Sequence, residues 1–467
     1  MFTRSDSGHP AADVIPYFED GWYHLFFLSP VSMDGDRLCS SWEHIRSSDL
    51  VNWESMPTAL LPQVGTPDAD AAWTGSVIRI NDEWVIYYTA RDTSSVNGQQ
   101  RLAMAVSHDQ THFQKQICLG LPNPGPEVWD IDNWRDPFVF SDGDGFHMLI
   151  TARQTNHSHN RSGAVAISDS ADGKTWSEPR LFFDATGTFC PECPDLREIN
   201  GTKVLSYSTF TGRWGTQFRI HDGQGWRIPA NSEPDGGWWY AVKSLTNSEG
   251  RVFSFGWIPD LADPTDDNSA LWGGDLAVPR ELWMSGNDEL AWKLPKEIRN
   301  AFNHPHSLGE VGATKISNGP IRISAYHSVN VLQLDHRFDL AVSLTEFEIL
   351  AEGSGRICIL IDVPKTWDSG FELCIDYGRS IVDLHRIRSD NANSRQRETI
   401  VSHPILRTVK NRLELIRRGD LIEFCLNDRM WLTARSSANL RSLGMLFEST
   451  KAEITIKASE LKKGDAR

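Results

Sequence analysis

The feature that most constrains the fold is a short unit that recurs in the first 180 residues. It runs Ser-x-Asp, followed four residues after the aspartate by an aromatic residue, and it occurs at 47–53, 107–113 and 170–176. Each copy predicts a polar turn whose aromatic side chain is buried between strands. Because a repeated unit of this size cannot bury its apolar face alone, successive units are expected to pack on one another.

A second series of segments alternates with these turns. Each begins with a polar residue, continues as a short apolar strand, turns at Gly, Asp or Asn, and closes with a second apolar strand. The segments begin at residues 13, 76, 136, 192 and, less regularly, 239, in steps of 63, 60, 56 and 47 residues. Five such units, with almost no helical periodicity between them, predict a five-bladed β-propeller.

A propeller brings its inner strands around one axis, so corresponding residues of different blades meet there. Asp13, Asp136 and Glu192 begin the first, third and fourth units. We therefore expect these three acids to occupy equivalent positions and to point into one funnel.

The pattern changes after about residue 290. Residues 295–302 predict a short helix with a proline in its first turn. Short alternating strands with Gly, Asn or Asp turns then predict a β-sandwich, at 338–344, 355–363, 370–377, 412–418 and 421–428. The chain is thus predicted to be all-β, with a five-bladed β-propeller catalytic domain over 1–294, a linker with a short helix over 295–305, and a C-terminal β-sandwich over 306–467 as a supporting module.

Composition limits the partners that the chain is expected to have. The formal net charge is −16, which argues against binding nucleic acid or an anionic membrane. The N-terminal residues lack the apolar core of a signal peptide and no 18-residue apolar run occurs, so a cytoplasmic location is expected. Seven scattered cysteines favour reduced thiols over a disulfide framework. Of the 18 tryptophans, most are expected in the core and the others as platforms for sugar rings.

The segment FCPECPDL, at 189–196, allows two interpretations. As a metal site, its C-x-x-C pair needs two further ligands, and the other cysteines supply no second pair. As a redox site, it is expected to precede a helix in a βαβ unit, which the sequence does not contain. The repeat instead favours Glu192 as the functional group, and no metal or cofactor is predicted.

Three acids in one cleft are difficult to keep ionised together, so at least one is expected to have a raised pKa. Glycoside hydrolysis uses such a difference, because one carboxylic acid protonates the leaving oxygen while a carboxylate attacks the anomeric carbon or activates water. The three acids therefore predict a glycosidase.

Several segments resemble signatures of glycoside hydrolase family 32, the group of invertases, levanases and inulinases. They are Trp134-Arg-Asp-Pro137, Glu192-Cys-Pro-Asp195 and the stretch 41–53, with weaker support from Trp73-Thr-Gly-Ser76 and 235–240. The resemblance runs almost from end to end. It implies a five-bladed propeller followed by a β-sandwich, and a retaining enzyme that acts on a fructofuranoside. The expected cytoplasmic location favours a small carbohydrate, which would be a sucrose-like, fructo-oligosaccharide or difructose substrate.

The resemblance also implies roles for individual residues. Asp13 would be the nucleophile that forms a covalent fructosyl-enzyme, Glu192 the general acid and later base, and Asp136 the stabiliser of the transition state. The implied substrate-binding residues are Arg135, Trp42, Trp73, Ser76, Tyr240 and Cys193.

The nucleophile segment departs from the family pattern at two positions. The asparagine usual before the nucleophile is Ala12, and the glutamine usual at the end of the following strand is Leu28. These departures leave open a catalytically silent carbohydrate-binding protein. A second alternative is an inverting furanosidase of the related five-bladed group, which also uses three carboxylates and acts on an arabinoside or xyloside. Hydrolysis versus fructosyl transfer, substrate linkage and chain length, and oligomeric state are also left open.

Overall fold

Five antiparallel sheets of four main strands succeed one another along the first 293 residues of this computed structural model. The structure describes residues 4, 8–33, 37–95, 99–116, 121–122, 125–211, 214–263, 269–286, 289–306, 310–311, 314–315, 321–334, 342–364, 366–391, 394–405, 410–436 and 442–461. Cys118, one of the seven cysteines, lies outside the described residues.

Each antiparallel set of four main strands is one blade, and its strands follow chain order from the inner edge outward. A single parallel bridge between Ser40 and Ala71 joins blades 1 and 2. Blade 1 contains β1 (Ala12–Glu19), β2 (Trp22–Met33), β3 (Arg37–Ser47) and β4 (Glu54–Leu60). Blade 2 contains β5 (Ala71–Ile80), β6 (Glu83–Arg91), β7 (Gln100–Ser107) and β8 (Gln114–Gln116). Blade 3 contains β9 (Arg135–Ser141), β10 (Phe146–Arg153), β11 (Gly163–Ser170) and β12 (Arg180–Asp184).

The remaining two blades have the same order. Blade 4 contains β13 (Glu192–Ile199), β14 (Thr202–Thr209), β15 (Gly215–His221) and β16 (Trp226–Arg227). Blade 5 contains β17 (Tyr240–Thr246), β18 (Val252–Leu261), β20 (Arg280–Met284) and β21 (Leu290–Lys293), with an added strand β19 (Ala270–Leu276) beside β18. The inner strands contact one another in a closed ring, β1 to β5, β9, β13, β17 and back to β1. The predicted five-bladed propeller is therefore confirmed.

The recurring Ser-x-Asp turn ends the third strand of blades 1 to 3. In the first copy Asp49 Oδ1 accepts the backbone N–H groups of Val51 and Asn52, at 2.9 and 2.7 Å. This bond pattern shapes the turn that leads to the buried Trp53. Blade 4 has a shorter copy, in which Asp222 accepts the N–H of Gln224. The aromatic residue follows the aspartate at the same distance as in the other copies, but the serine before the aspartate is missing. The sequence pattern therefore missed this copy.

The C-terminal strands form one large sheet folded into two layers. The short helix α1 (Lys296–Ala301) precedes them. The strands are β22 (His304–His306), β23 (Glu310–Val311), β24 (Thr314–Lys315), β25 (Ile321–Leu334), β26 (Ser343–Ile361), β27 (Phe371–Asp376), β28 (Ile381–Asn391), β29 (Ser394–Pro404), β30 (Lys410–Arg418), β31 (Leu421–Leu426), β32 (Met430–Arg435) and β33 (Leu443–Glu460). The short pair β23–β24 forms a separate two-stranded sheet.

Two long strands, β26 and β33, connect the layers of the sandwich. The first half of β26 pairs with β30 and its second half with β27, while β33 runs along its other edge. A register shift between Gly353 and Arg356 lies between the halves, where a bulge bends the strand. A core of apolar side chains from both layers fills the space between them. The predicted sandwich is confirmed; residues 338–341 of its first predicted strand lie outside the described part.

The cysteines differ from expectation at one pair. Cys358 and Cys374 face each other on β26 and β27 and are joined by a disulfide. The expectation of reduced thiols is wrong for this pair, because scattered sequence positions do not reveal which residues a sheet places side by side. Cys39, Cys190 and Cys193 are free and buried, as is Cys425. Within the described ranges, no helix has the length and apolar character that crossing a bilayer requires.

A buried ionic network joins the propeller to the sandwich. Arg280, on β20, donates to Asp235 Oδ2 at 2.7 Å and lies 3.4 Å from Glu423 Oε2 on β31. Its guanidinium lies over the rings of Trp239 and Trp431, 4.1 and 4.6 Å from their centroids. Removing one member of such a network leaves the others charged and without compensation.

We therefore expect Arg280→Met to lower the free energy of unfolding by about 3–5 kcal/mol. Urea unfolding followed by tryptophan fluorescence measures this difference. The control is Arg180→Met, which removes an exposed ion pair with Asp169 and should change stability by no more than about 1 kcal/mol. Equal effects of the two substitutions would contradict the assigned importance of the network.

Candidate active site

A β-bulge at the start of each inner strand positions the residues at one end of the propeller axis. In blade 1 the register slips between Ala12 and Ile15, and the same irregularity recurs in blades 2 to 5. Four of the bulges hold a non-glycine residue at positive φ: Asp13 (34°), Asp136 (54°), Cys193 (53°) and Ala241 (50°). A bulge re-aims the side chains around it, and such backbone conformations concentrate at functional sites.

The bulges correct the predicted equivalence of the three acids. Asp13 and Asp136 are the positive-φ residues of their blades, but in blade 4 that position is Cys193. Glu192 is one residue earlier and corresponds to Arg135 in blade 3. The sequence repeat could not show this, because a one-residue offset inside a bulge leaves the hydrophobic pattern unchanged.

The bulges surround a cavity of about 320 Å³. The structure brings together here the predicted residues Asp13, Asp136, Glu192, Arg135, Trp73, Tyr240 and Cys193. Seven further residues complete the lining: Leu28, Phe210, Trp214, Trp257, Ala270, Leu271 and Trp272. Phe210, Leu271 and Trp272 form the outer part of the cavity, because each is between two fifths and one half exposed. The outer part is therefore lined by apolar side chains.

Trp42 and Ser76 lie outside this lining. Trp42 is fully buried and donates its indole N–H to the carbonyl oxygen of Trp73, at 3.0 Å. Ser76 donates to the carbonyl of Pro137 and accepts the N–H of Val139, both at 2.9 Å. Trp42 thus supports a cavity residue, and Ser76 ties blade 2 to blade 3.

Glu192 is held on both carboxylate oxygens. Arg135 donates to Oε1 at 3.0 Å, and the Tyr240 hydroxyl donates to Oε2 at 2.5 Å. Asp136 Oδ2 accepts the backbone N–H of Cys193 at 2.9 Å and lies 3.7 Å from Arg135 Nε. Arg135 therefore pairs with two of the three acids.

Asp13 has a different environment. Its Oδ1 accepts the indole N–H of Trp257 at 3.1 Å, and the Cys193 thiol lies 3.8 Å from its Oδ2. One oxygen is thus fixed by a single strong donor. The carboxylate has no arginine partner among the contacts that the described residues make, unlike Glu192 and Asp136.

Burial and crowding of negative charge shift the titration of the acids. Burial, followed by the charges of Asp136 and Glu192, raises the pKa of Asp13 to about 7, although the Trp257 hydrogen bond opposes the shift. Burial also raises the pKa of Glu192; Asp136 adds to this effect, whereas Arg135 opposes it. The cluster therefore holds a proton near neutral pH, as a site that needs both an acid and a carboxylate requires.

The two cysteines of FCPECPDL are not set up as nucleophiles. Burial raises the pKa of Cys190 to about 12, and burial together with the Asp13 charge raises the pKa of Cys193 well above its ordinary value. A reactive thiol needs the opposite shift. Their side chains act as packing around the acids.

Two groups of potential metal ligands occur in the described part of the chain, both in the sandwich. The first is Cys358, Glu372 and Cys374, whose thiols are consumed by the disulfide. The second is Glu414, Cys425 and Asp428, whose carboxylates are bound by Arg299 at 2.6 to 3.0 Å. Neither group lies among the residues that line the cavity.

Six cavity residues were missed by sequence reasoning: Phe210, Trp214, Trp257, Ala270, Leu271 and Trp272. Trp257 and Trp214 make direct contacts with the predicted residues Asp13 and Tyr240. Trp257 lies on β18 directly opposite Tyr240, the position that Leu28 occupies opposite Ala12 in blade 1. Alignment of the second strands as well as the first would have identified this position. Trp214 stacks on Tyr240 at a centroid distance of 4.3 Å, but it precedes a third strand, and no repeat element marks it.

Together, the fold and the site define a class of protein: a five-bladed propeller with three clustered carboxylates at one end of its axis, followed by a β-sandwich. The model of the glycosyl hydrolases family 32 N-terminal domain matches residues 15–293. The chain belongs to glycoside hydrolase family 32. Because the match begins after Asp13, the placement of that residue rests on the bulge geometry.

Curated relatives and solved structures agree with this assignment. A β-fructofuranosidase of Arabidopsis thaliana, insoluble isoenzyme CWINV6, is 27% identical, with 63% of this chain and 59% of that protein aligned. A sucrose-6-phosphate hydrolase of Zymomonas mobilis is 26% identical, with 58% of this chain and 56% of that protein aligned. The chain thus spans somewhat less than three fifths of the length of these relatives. The structure of sucrose-6-phosphate hydrolase from Lactobacillus gasseri has the same fold, with a TM-score of 0.73 and 19% identity over 97% of this chain and 92% of that one.

Proposed function

We propose that the protein is a retaining glycosidase that removes a fructofuranosyl unit from a small fructoside. The observation that carries the proposal is the contrast between two neighbouring acids. Asp13 accepts the Trp257 indole N–H and a long contact from the Cys193 thiol, whereas Glu192 is held by Arg135 and Tyr240, and burial raises the pKa of both carboxyls. Two carboxyl groups with distinct environments are what a retaining mechanism needs.

In the first step Asp13 attacks the anomeric carbon of the fructosyl unit while Glu192 gives its proton to the leaving oxygen. The C–O bond to the leaving group breaks as the bond to the Asp13 carboxylate forms. In the second step Glu192 takes a proton from water, which attacks the anomeric carbon and releases fructose and free Asp13.

Arg135 and Asp136 serve the same reaction without making covalent bonds. Arg135 contacts both Glu192 and Asp136, so it limits the accumulation of negative charge in the cavity. Asp136 is fixed by the N–H of Cys193 and provides a carboxylate for sugar hydroxyls and for the positive charge of the transition state. Trp73 and Tyr240 are proposed to contact the sugar. A cytoplasmic location stays a prediction.

A panel of short fructosides with product identification tests the proposal: sucrose, kestose, inulobiose, levanbiose and difructose anhydrides. We expect fructose to be released with retention of the anomeric configuration, read by NMR early in the reaction. Inversion would favour the furanosidase alternative. Binding without turnover across the panel would favour a silent sugar-binding protein.

The pH dependence of kcat/KM should reflect the ionisation of Asp13. Since the nucleophile must be ionised, kcat/KM is expected to fall as the pH drops below about 7. Trp257→Phe removes the N–H that stabilises the carboxylate, so this limb should move to higher pH. Trp283→Phe is the control, because its indole donates to the carbonyl of Asp428 in the sandwich. An unchanged limb in Trp257→Phe would contradict the assignment of the limb to Asp13.

A further inference from the structure

Blade 1 breaks a pattern that the other four blades share. The residue before each bulge lines the cavity in blades 2 to 5, where it is Trp73, Arg135, Glu192 or Tyr240. In blade 1 this residue is Ala12, which is fully buried and lies opposite Leu28. Leu28 lines the cavity in its place.

The positions opposite these residues follow a second pattern. In blades 2, 3 and 4 they are Thr89, Thr151 and Ser208. The hydroxyls of Thr89 and Ser208 each accept a backbone N–H from the inner strand of the next blade. The hydroxyl of Thr151 bonds Asp136 of its own blade and the backbone carbonyl of Pro191. In blade 5 the position is Trp257, whose N–H bonds Asp13. Leu28 offers neither a donor nor an acceptor there.

Blade 1 therefore places hydrocarbon at two positions where blades 3 to 5 place side chains that donate or accept hydrogen bonds. The charged side chains of the cavity other than Asp13, together with Tyr240 and the Trp257 indole that bonds Asp13, come from blades 3, 4 and 5: Arg135, Asp136, Glu192, Tyr240 and Trp257. A sugar bound at Asp13 would have hydrogen-bonding side chains on one side and an aliphatic wall on the other. A hydroxyl turned toward that wall would lose its water partners without gaining protein ones.

We propose that Leu28, with the buried Ala12 opposite it on the neighbouring strand, forms an apolar wall that selects fructofuranosides with no free hydroxyl on the ring carbon facing blade 1. That carbon carries either a substituted oxygen, in an ether, acyl or glycosidic linkage, or hydrogen. The inference rests on the proposed function, since it takes the fructosyl unit to be bound at Asp13. Apolar sites reject an added hydroxyl only moderately, so ordinary fructosides should still react, about 10- to 100-fold more slowly.

The test compares sucrose with derivatives in which one fructosyl hydroxyl at a time is replaced by hydrogen or by methoxy. For one ring position, we expect kcat/KM of a modified sucrose to exceed that of sucrose by about 10-fold or more. Faster cleavage of a methoxy derivative would identify a substituted oxygen as the preferred group at that carbon. Faster cleavage of a deoxy derivative would identify hydrogen as the preferred group. Modification at the other positions should lower kcat/KM, because their hydroxyls face polar side chains.

The double variant Ala12→Asn with Leu28→Gln should reverse this preference by about 10-fold or more, because it introduces amide groups that can hydrogen-bond a sugar hydroxyl at the wall. Leu181→Gln, the same chemical change on an exposed strand of blade 3, should leave the preference unchanged. If the wild type prefers sucrose to every derivative and the double variant retains that order, the inference is wrong and the proposed function stands. If the wild type cleaves no fructoside, the proposed function fails as well.

Discussion

Asp13→Asn is expected to lower kcat on the true substrate by about 10⁴-fold or more while leaving the fold intact. The asparagine has nearly the same shape, and its amide oxygen can still accept the Trp257 N–H that Asp13 accepts at 3.1 Å. It cannot form the covalent intermediate, so only binding and the remaining polar groups would contribute to catalysis. Steady-state kinetics measures the effect, and active-site titration quantifies any contaminating wild-type enzyme in the preparation.

The same substitution should raise thermal stability at and above neutral pH. The folded-state pKa of Asp13 is about 7, above its ordinary value of 3.8, so ionising this buried carboxyl destabilises the folded protein as the pH rises between these values. Asparagine removes that effect. Asp20→Asn, in the exposed turn after β1, is the control for both readouts. Substantial residual activity, or a large loss of stability, would contradict the role assigned to Asp13.

Glu192→Gln is expected to lower kcat on sucrose-like substrates by about 10²- to 10⁴-fold, because their leaving oxygen needs a proton. With fructosyl fluoride, whose leaving group needs none, the first step should proceed and the second should become slow. External azide should then restore turnover by attacking the intermediate, and the product should be fructosyl azide with the anomeric configuration of the substrate.

Glu198→Gln, at an exposed position on the same strand, provides the matched control and should leave all three readouts unchanged. A structural role for Glu192 predicts a different result. Loss of its contacts with Arg135 and Tyr240 alone would slow both substrates equally, and azide would have no effect.

Much of the propeller could be predicted because its repeat has local causes. The Ser-x-Asp turn and the hairpins are set by short-range hydrogen bonding and by alternating hydrophobicity, and both are visible in the sequence. The predicted segment starts at 136 and 192 lie within one residue of the inner strands β9 and β13. The predicted helix at 295–302 agrees with α1.

The details of the site depend on features that no local pattern records. Glu192 lies one position earlier in its bulge than Asp13 and Asp136 lie in theirs. This offset decides which side chains of different blades occupy equivalent positions around the cavity. Trp214 reaches the cavity from a loop, and its position is fixed by stacking on Tyr240. Long-range contacts of this kind also explain why Trp42 is buried behind Trp73 and not in the cavity.

The central claim is that Asp13 becomes covalently bonded to the fructosyl unit. The most direct measurement is mass spectrometry of Glu192→Gln quenched during reaction with fructosyl fluoride, followed by peptide mapping. We expect a mass increase of one fructosyl residue, located on the peptide that contains Asp13 and absent from the double variant with Asp13→Asn. An adduct on another residue, or rapid turnover with inversion and no adduct, would contradict the claim.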